Sequence, residues 1–147
     1  MFCMPFSKIK KYEIPILIKM NIKQIKEVIK KYGLAWEKKD TNLILECFTP
    51  KGIYQESPLS KPYKGHKKIK KFWDTEVVRD TSNIKFKLGK CYISKDGKTG
   101  FAEWTCRNVY KKKKNFMVGI MILKMKGTKI TYLNEYWNQD NWMALDN

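Results

Sequence analysis

The apolar side chains change their spacing about halfway along the chain, and this change limits the folds open to it. In the first half they recur every three or four residues, as on one face of a helix, at Ile22, Ile25, Ile29, Tyr32 and Trp36. After residue 80 the period falls to two, which is typical of strands with one buried face, as in Ile84, Phe86 and Leu88. Helices followed by a run of strands predict an α+β domain.

Capping and turn residues divide the first half into separate elements. Asn21 is the expected N-cap of the long first helix. Thr41 is the expected cap of a short second helix, which "TPKG" at residues 49–52 ends. A short strand at residues 53–55 and a third helix at residues 65–79 follow.

The second half is predicted to be a four-stranded antiparallel meander. The first of its strands contains the alternating segment that begins at Ile84, and "KDGK" at residues 95–98 should close a hairpin with a type I′ turn. The other three strands are expected at residues 101–110, 116–125 and 130–138. A long helix over such a sheet, if the sheet is strongly bent, leaves a space suited to a small molecule.

The charge of the chain invites a nucleic-acid interpretation, which its composition weakens. Of the 31 basic residues only Arg79 and Arg107 are arginines, and the lysines are spread along the chain instead of forming one stripe. Arginine makes most of the bidentate contacts to phosphate and guanine. We therefore expect a solvated lysine surface and no nucleic-acid partner, with a lysine-driven polyanion binder as a third alternative.

Cysteine, histidine and hydropathy restrict the other classes. Cys3, Cys47, Cys91 and Cys106 form no CxxC pair, so reduced thiols in a cytoplasmic protein are expected. A single histidine, His66, excludes a multi-histidine metal site, and neither a metal nor a cofactor is predicted. No apolar run approaches the ~18 residues that a membrane span needs. Residues 1–20 are predicted to be a loosely structured extension, and residues 21–147 a single domain.

The stretch "YQESPLSKPYKG" places one carboxylate, Glu56, between a strand and a turn. Glu56 is either a solvated loop acid or a proton-transfer group at the mouth of a pocket. The residues alone leave both interpretations open.

Four motifs carry a resemblance to a known family. They are "YGLAWEKKDTNLILECFTPKGIYQESP" and "YKGHKKIKKFW" in the first half, and "AEWTCR" and "KITYLNEYWN" in the second. With the order of elements, they resemble the nuclear-transport-factor-2-like superfamily, and within it the SnoaL-like and ketosteroid-isomerase-like proteins, over about residues 22–140. The resemblance implies a cone-shaped roll, in which a strongly curved, mainly antiparallel mixed sheet wraps around a long N-terminal helix. It also implies a homodimer formed through the exposed face of the sheet.

The resemblance to the steroid isomerases implies two catalytic residues. Tyr32 takes the position of their hydrogen-bonding tyrosine, and Glu56 that of their aspartate base. Their second, protonated aspartate has no counterpart, because "GIMILKM" offers only Ile120 or Met121 there. Authentic steroid isomerisation is therefore not expected.

A further set of side chains is predicted to contact a ligand. For Trp36 and Trp73 the sequence favours the core over the pocket wall, the strand face of Trp104 is undecided, and for Glu135 it favours a salt bridge to a lysine over a role in the site. The complete set is Trp36, Tyr54, Trp73, Trp104, Met117, Met121, Glu135 and Trp137.

The leading functional prediction is a SnoaL-like pocket protein that binds a small hydrophobic or aromatic ligand. If it is an enzyme, cofactor-free proton transfer of the isomerase or lyase type on a carbonyl ligand is the simplest mechanism, with Glu56 as base and Tyr32 as donor. The alternative is a noncatalytic ligand-binding or protein-interaction module.

Overall fold

The first helix begins and ends where its flanking residues satisfy its free backbone groups. The computed structural model describes residues 19–140, and in it α1 spans Ile22–Lys38. Asn21 and Gln24 form a capping box, so the predicted N-cap is confirmed. Lys39, in the left-handed region at φ 51°, ends the helix. The buried face of α1 consists of Ile25, Val28, Ile29, Tyr32, Gly33 and Ala35.

The segment after α1 differs from the prediction in two places. α2 spans Thr41–Cys47, and its N-cap is Asp40 and not Thr41, because the Asp40 carboxylate accepts the Leu43 N–H at 3.0 Å. β1 spans Phe48–Gln55, so "TPKG" lies inside a strand and does not form a turn. The strand is longer than predicted because its partner lies at the far end of the sequence, where local turn chemistry gives no sign of it.

A short strand precedes the third helix, and a π-helical segment continues it. β2, a two-residue strand at Tyr63–Lys64, was not predicted and pairs antiparallel with β1. α3 spans His66–Phe72, and a π-helical segment spans Trp73–Val78, which confirms a helix in this part of the chain. Such segments are frequent at functional sites, and this one carries Glu76.

Four long strands form the second half, as predicted, and bulges bend the sheet that they build. The strand order is β2-β1-β6-β5-β4-β3, with β1 parallel to β6 and the other pairs antiparallel. Register shifts interrupt the pairing of β3 with β4 twice and that of β5 with β6 once. Bulges bend and twist strands, which gives the sheet its curvature. The four strands are β3 (Thr81–Ile93), β4 (Gly100–Tyr110), β5 (Lys113–Lys126) and β6 (Lys129–Asp140).

One hairpin turn differs in type from the prediction. Between β3 and β4, Gly97 has φ 71°, but Asp96 lacks the positive φ that a type I′ turn requires at both central positions. Two positive φ angles in succession occur instead between β4 and β5, at Lys111 (46°) and Lys112 (67°). The predicted hairpin at residues 95–98 is therefore confirmed, and only its predicted turn type is wrong.

The buried face of the sheet packs against α1 and forms the inside of a cone. Along β4 the buried side chains are Ala102, Trp104, Cys106 and Asn108, whereas Glu103 and Arg107 are exposed. This assignment answers which face of β4 is concave. The predicted α+β cone is therefore confirmed, with a mixed six-stranded sheet.

The ends of the described region bear on two predictions. Most of the predicted extension at residues 1–20 lies outside the described residues, but Met20 is buried and its N–H donates to the Gly97 carbonyl at 3.0 Å. Within residues 19–140, no helix is both long and apolar enough to cross a membrane.

Candidate active site

A cavity lies between α1 and the concave face of the sheet, and it has two adjoining compartments. The inner compartment has a volume of about 60 Å³ and the outer one about 270 Å³. Ordinary ligand pockets measure roughly 300–1,000 Å³, so only the two together approach that size. The residues that line both compartments are Trp36, Glu56, Asn108, Met117 and Trp137.

A buried hydrogen-bonded network closes the inner compartment. The Tyr32 hydroxyl on α1 donates to Oε1 of Glu135 on β6. The hydroxyls of Tyr32 and Tyr54 lie 3.1 Å apart, within hydrogen-bond distance. Burial, followed by the negative charge of Glu135, raises the pKa of both tyrosines, so both phenols keep their protons.

Glu135 is a carboxyl group deep inside the molecule. Its residue is 5% exposed, and burial is the main cause that raises its pKa to about 8. The hydrogen bond from Tyr32 lowers this pKa, and the charge of Glu56 raises it. The alternative of a lysine salt bridge was wrong, because among the described residues the Glu135 side chain bonds only Tyr32.

Glu56 follows β1 directly, and its side chain lines both compartments. The indole Nε1–H of Trp137 donates to the Glu56 backbone carbonyl at 2.6 Å and so fixes the start of the loop. Among residues 19–140 the Glu56 carboxylate has neither a hydrogen-bond donor nor an ion pair. Burial, followed by the nearby charge of Glu76, raises its pKa. A partly buried, unpaired carboxylate is poised to accept a proton.

The outer compartment adds polar groups that sequence reasoning missed. Glu76 accepts a hydrogen bond from the Tyr110 hydroxyl at 3.2 Å. The amide of Asn115 donates to Oδ1 of Asn108 at 3.4 Å, which joins two buried asparagines of neighbouring strands. The burial of Asn108 could have been predicted from the sequence, because Asn108 continues the alternation of Ala102, Trp104 and Cys106 onto the buried face.

No lysine, arginine or histidine lines either compartment in the described part of the chain. This contrasts with a formal net charge of +17 for the whole sequence. Among residues 19–140, the carboxyl groups that line the cavity are those of Glu56, Glu76 and Glu135.

Most of the predicted site residues lie together, and two lie elsewhere. Trp73 is fully buried against Trp36, with ring centroids 4.7 Å apart, and does not line the cavity. Met121 is also fully buried in the core, outside the lining. The predicted residues that line the inner compartment are Tyr32, Trp36, Tyr54, Glu56, Trp104, Met117, Glu135 and Trp137.

The register of the sheet relates Glu135 to the acid that "GIMILKM" lacks. Met121 on β5 is directly opposite Glu135 on β6, so the two residues belong to the same face of the sheet. A carboxyl group is therefore present one strand away from the expected position. The available signal was the alternation Leu133, Glu135, Trp137, in which an acid occupies the apolar face.

A larger groove lies mainly on the convex face of the sheet and shares Trp104 and Trp137 with the lining of the inner compartment. Its volume is about 830 Å³, and its exposed apolar side chains include Val118 and Tyr136. The one carboxylate in its lining, Glu103, accepts a hydrogen bond from the exposed Tyr92 at 3.1 Å. The groove lacks buried titratable groups and is therefore not the candidate active site.

The chain belongs to the SnoaL-like family, because the model of the SnoaL-like domain matches residues 29–133. The family predicted from the motifs is thus confirmed. A sequence search of curated proteins finds no significant match.

Solved structures that resemble the chain share its cone fold. SalBIII, an epoxide hydrolase/cyclase-like enzyme with a role in pyran ring formation in salinomycin, is 15% identical, with a TM-score of 0.69 over 84% of this chain and 100% of its own. A Bacillus subtilis protein provisionally assigned as an isomerase is 20% identical, with a TM-score of 0.70 over 81% and 90%. An LEH-like epoxide hydrolase of M. tuberculosis is 10% identical, with a TM-score of 0.65 over 79% and 84%. At these identities the likeness establishes the fold alone.

Proposed function

We propose that the protein is an enzyme that transfers a proton between carbon atoms of a small hydrophobic carbonyl compound, in an isomerase- or lyase-type step. One observation carries this proposal: within residues 19–140 the Glu56 carboxylate has no hydrogen-bond or ionic partner, and it shares a cavity that no lysine lines with the hydrogen-bonded pair Tyr32 and Glu135. Membership of the SnoaL-like family and the cyclase- and isomerase-type neighbours are consistent with it.

The two glutamates divide the acid and base roles. Burial raises the pKa of both, and that of the more deeply buried Glu135 reaches about 8. Glu135 therefore holds its proton at pH 7, and the proposal assigns the role of ionised base to Glu56, the less buried acid. Two carboxyl groups in different environments are a common basis for such a division.

The reaction that follows from this division needs only the side chains of the cavity. Glu56 removes a proton from the carbon next to the carbonyl; the electron pair of that C–H bond becomes the C=C bond of the enolate, and the π pair of the carbonyl moves onto its oxygen. The proton of Glu135, backed by the Tyr32 hydroxyl, stabilises the resulting enolate by hydrogen bonding. Glu56 then returns its proton to the same carbon or to a conjugated one.

Hydrogen exchange in deuterated water tests the proposal without knowledge of the natural substrate. The wild type should exchange the α-hydrogens of small neutral aryl ketones, followed by NMR or mass spectrometry. Glu56→Gln should slow this exchange by about 100-fold or more, the usual contribution of a general base. Glu103→Gln, on the convex face, is the matched control. Equal rates in wild type and Glu56→Gln would contradict the proposal, and ketone binding without exchange would favour the noncatalytic alternative.

We also propose that two copies associate through the convex face of the sheet. Val118 and Tyr136 lie on adjacent strands there and are 50% and 42% exposed in the single chain. Pairing of two such surfaces would remove this apolar area from water. Light scattering should give twice the chain mass for the wild type and a lower mass for Val118→Lys; a wild-type monomer at micromolar concentration would contradict this proposal.

A further inference from the structure

Two buried tryptophans have an indole N–H without a hydrogen-bond partner among residues 19–140. They are Trp73 and Trp104, whereas the indole N–H of Trp137 bonds the Glu56 carbonyl. A buried donor without an acceptor is unfavourable and calls for an explanation. Trp73 belongs to the core, but Trp104 lines the inner compartment while only 4% of its surface is exposed.

The indole of Trp104 is held by its neighbours on the concave face. It stacks on Phe86, with ring centroids 5.9 Å apart and an interplanar angle of 21°. Gly119 is directly opposite Trp104 on β5. A Cβ atom at position 119 would lie 2.7 Å from Cζ2 and 2.8 Å from Cε2 of the indole. The glycine therefore leaves the room that the ring occupies.

The charge of the cavity restricts what can accept this hydrogen bond. Glu56 and Glu135 line the inner compartment together with Trp104, and no cationic side chain accompanies them in the described region. A carboxylate or phosphate ligand would meet the ionised Glu56 without a counter-ion. An indole N–H can only donate, so its partner must be a neutral acceptor such as a carbonyl oxygen.

We infer that the inner compartment binds the carbonyl oxygen of a neutral ligand, and that the Nε1–H of Trp104 donates a hydrogen bond to this oxygen. The inference builds on the proposed function, because it names the charge class of the substrate and a second donor beside the Tyr32 and Glu135 pair. The remainder of the ligand occupies the outer compartment, which Trp36, Phe72 and Trp137 line with apolar surface.

The test compares three probes of similar size: acetophenone, ethylbenzene, which lacks the oxygen, and benzoate, which carries a negative charge. Each is titrated into the protein with ¹⁵N-labelled tryptophan, and the indole resonances are assigned with Trp104→Phe and Trp73→Phe. We expect acetophenone to shift the Trp104 resonance and ethylbenzene to leave it unmoved. Acetophenone should bind more tightly than both other probes.

The variants separate the hydrogen bond from packing. Trp104→Phe should reduce the preference for acetophenone over ethylbenzene by about three- to tenfold, the effect of one neutral hydrogen bond. Trp73→Phe, which also removes an unpartnered indole N–H but lies outside the cavity, should keep that preference. Both variants are compared only after thermal unfolding shows them to be folded, and the affinities of the wild type for the three probes are compared without either variant.

Three results would overturn the inference: a Trp104 resonance that acetophenone leaves in place, an unchanged preference in Trp104→Phe, or benzoate binding as tightly as the ketone. Absence of ketone binding up to its solubility limit would count against it equally. The proposed catalysis fails separately, if acetophenone binds through Trp104 but its methyl hydrogens never exchange with deuterated water.

Discussion

Two glutamates on opposite faces of the sheet each accept a hydrogen bond from a tyrosine hydroxyl. On the convex face the Tyr92 hydroxyl donates to Glu103, and both residues are exposed. On the concave face the Tyr32 hydroxyl donates to Glu135, which is buried and has its pKa raised to about 8. The partners are chemically the same, so the environment makes the difference. Burial and not the tyrosine turns a glutamate into a neutral hydrogen-bond donor at pH 7.

The largest expected difference between the two pairs is in catalysis. Tyr32→Phe removes a hydroxyl from the donor network, and we expect α-hydrogen exchange to fall by about 10²-fold, as when an oxyanion donor is lost. Tyr92→Phe deletes the corresponding hydroxyl on the convex face and should leave the rate unchanged. Wild-type exchange rates in both variants would contradict a catalytic role for the buried pair.

The second difference is in the dependence of stability on pH. The unfolded chain releases the Glu135 proton near the ordinary value of 4.5, whereas the folded chain holds it until about pH 8. Between these values the native state binds more protons, so its stability falls as pH rises, by on the order of 3 kcal/mol at pH 7. The raised pKa of Glu56 acts in the same direction.

Chemical denaturation at several pH values checks this slope. Glu135→Gln should flatten the decline in unfolding free energy between about pH 5 and 8, leaving the part due to Glu56. Glu103→Gln should keep the wild-type slope, at an oligomeric state shown to be unchanged. Identical slopes in wild type and Glu135→Gln would mean that Glu135 is not held neutral.

A smaller difference separates the packing of the two faces. Gly119→Ala would bring a Cβ atom to 2.7 Å from Cζ2 of Trp104 and from the Tyr136 carbonyl oxygen. Overpacking of this kind costs about 1–3 kcal/mol, measurable as a lower unfolding midpoint. Val118→Ala, at the preceding position and half exposed in the single chain, should change stability by less than about 1 kcal/mol when both variants are compared as monomers. Equal effects at both positions would contradict the close packing of Trp104 on Gly119.

The smallest effect concerns how Glu56 is positioned. Trp137→Phe keeps an aromatic wall but removes the N–H that bonds the Glu56 carbonyl. The net value of such a bond is about 1 kcal/mol, so we expect exchange to slow by a few fold and the apparent pKa of the rate profile to shift. Wild-type rates and an unshifted profile would show that the loop holds Glu56 without this bond.

The sequence predicts the elements better than it predicts their partners. The periodicity and capping residues of α1 and the alternation of the long strands act over a few residues, and those elements were found. The length of β1 and the hydrogen-bond partner of Glu135 depend on contacts between distant segments. The hydrogen bond of Glu135 joins positions 103 residues apart, and no local pattern reports it.

The candidate site shows the same limit at the level of single residues. Tyr32 and Glu56 were identified through the family resemblance, and both line the inner compartment. Trp73 is a large aromatic residue of the kind that lines pockets, but tertiary packing buries it against Trp36. The second acid was expected on β5, at Ile120 or Met121, and a carboxyl group lies instead opposite Met121 on β6. Strand register and not sequence order decides which side chains meet.

Direct titration of the two cavity carboxyl groups tests the central claim, which is that Glu135 is the neutral donor and Glu56 the ionised base. ¹³C NMR of δ-labelled glutamate, assigned with Glu135→Gln and Glu56→Gln, would follow each group from pH 4 to 10. The account predicts that Glu135 titrates near pH 8 and Glu56 at a lower pH, still above the ordinary glutamate range. Titration of Glu135 at or below the pH of Glu56 would contradict the account.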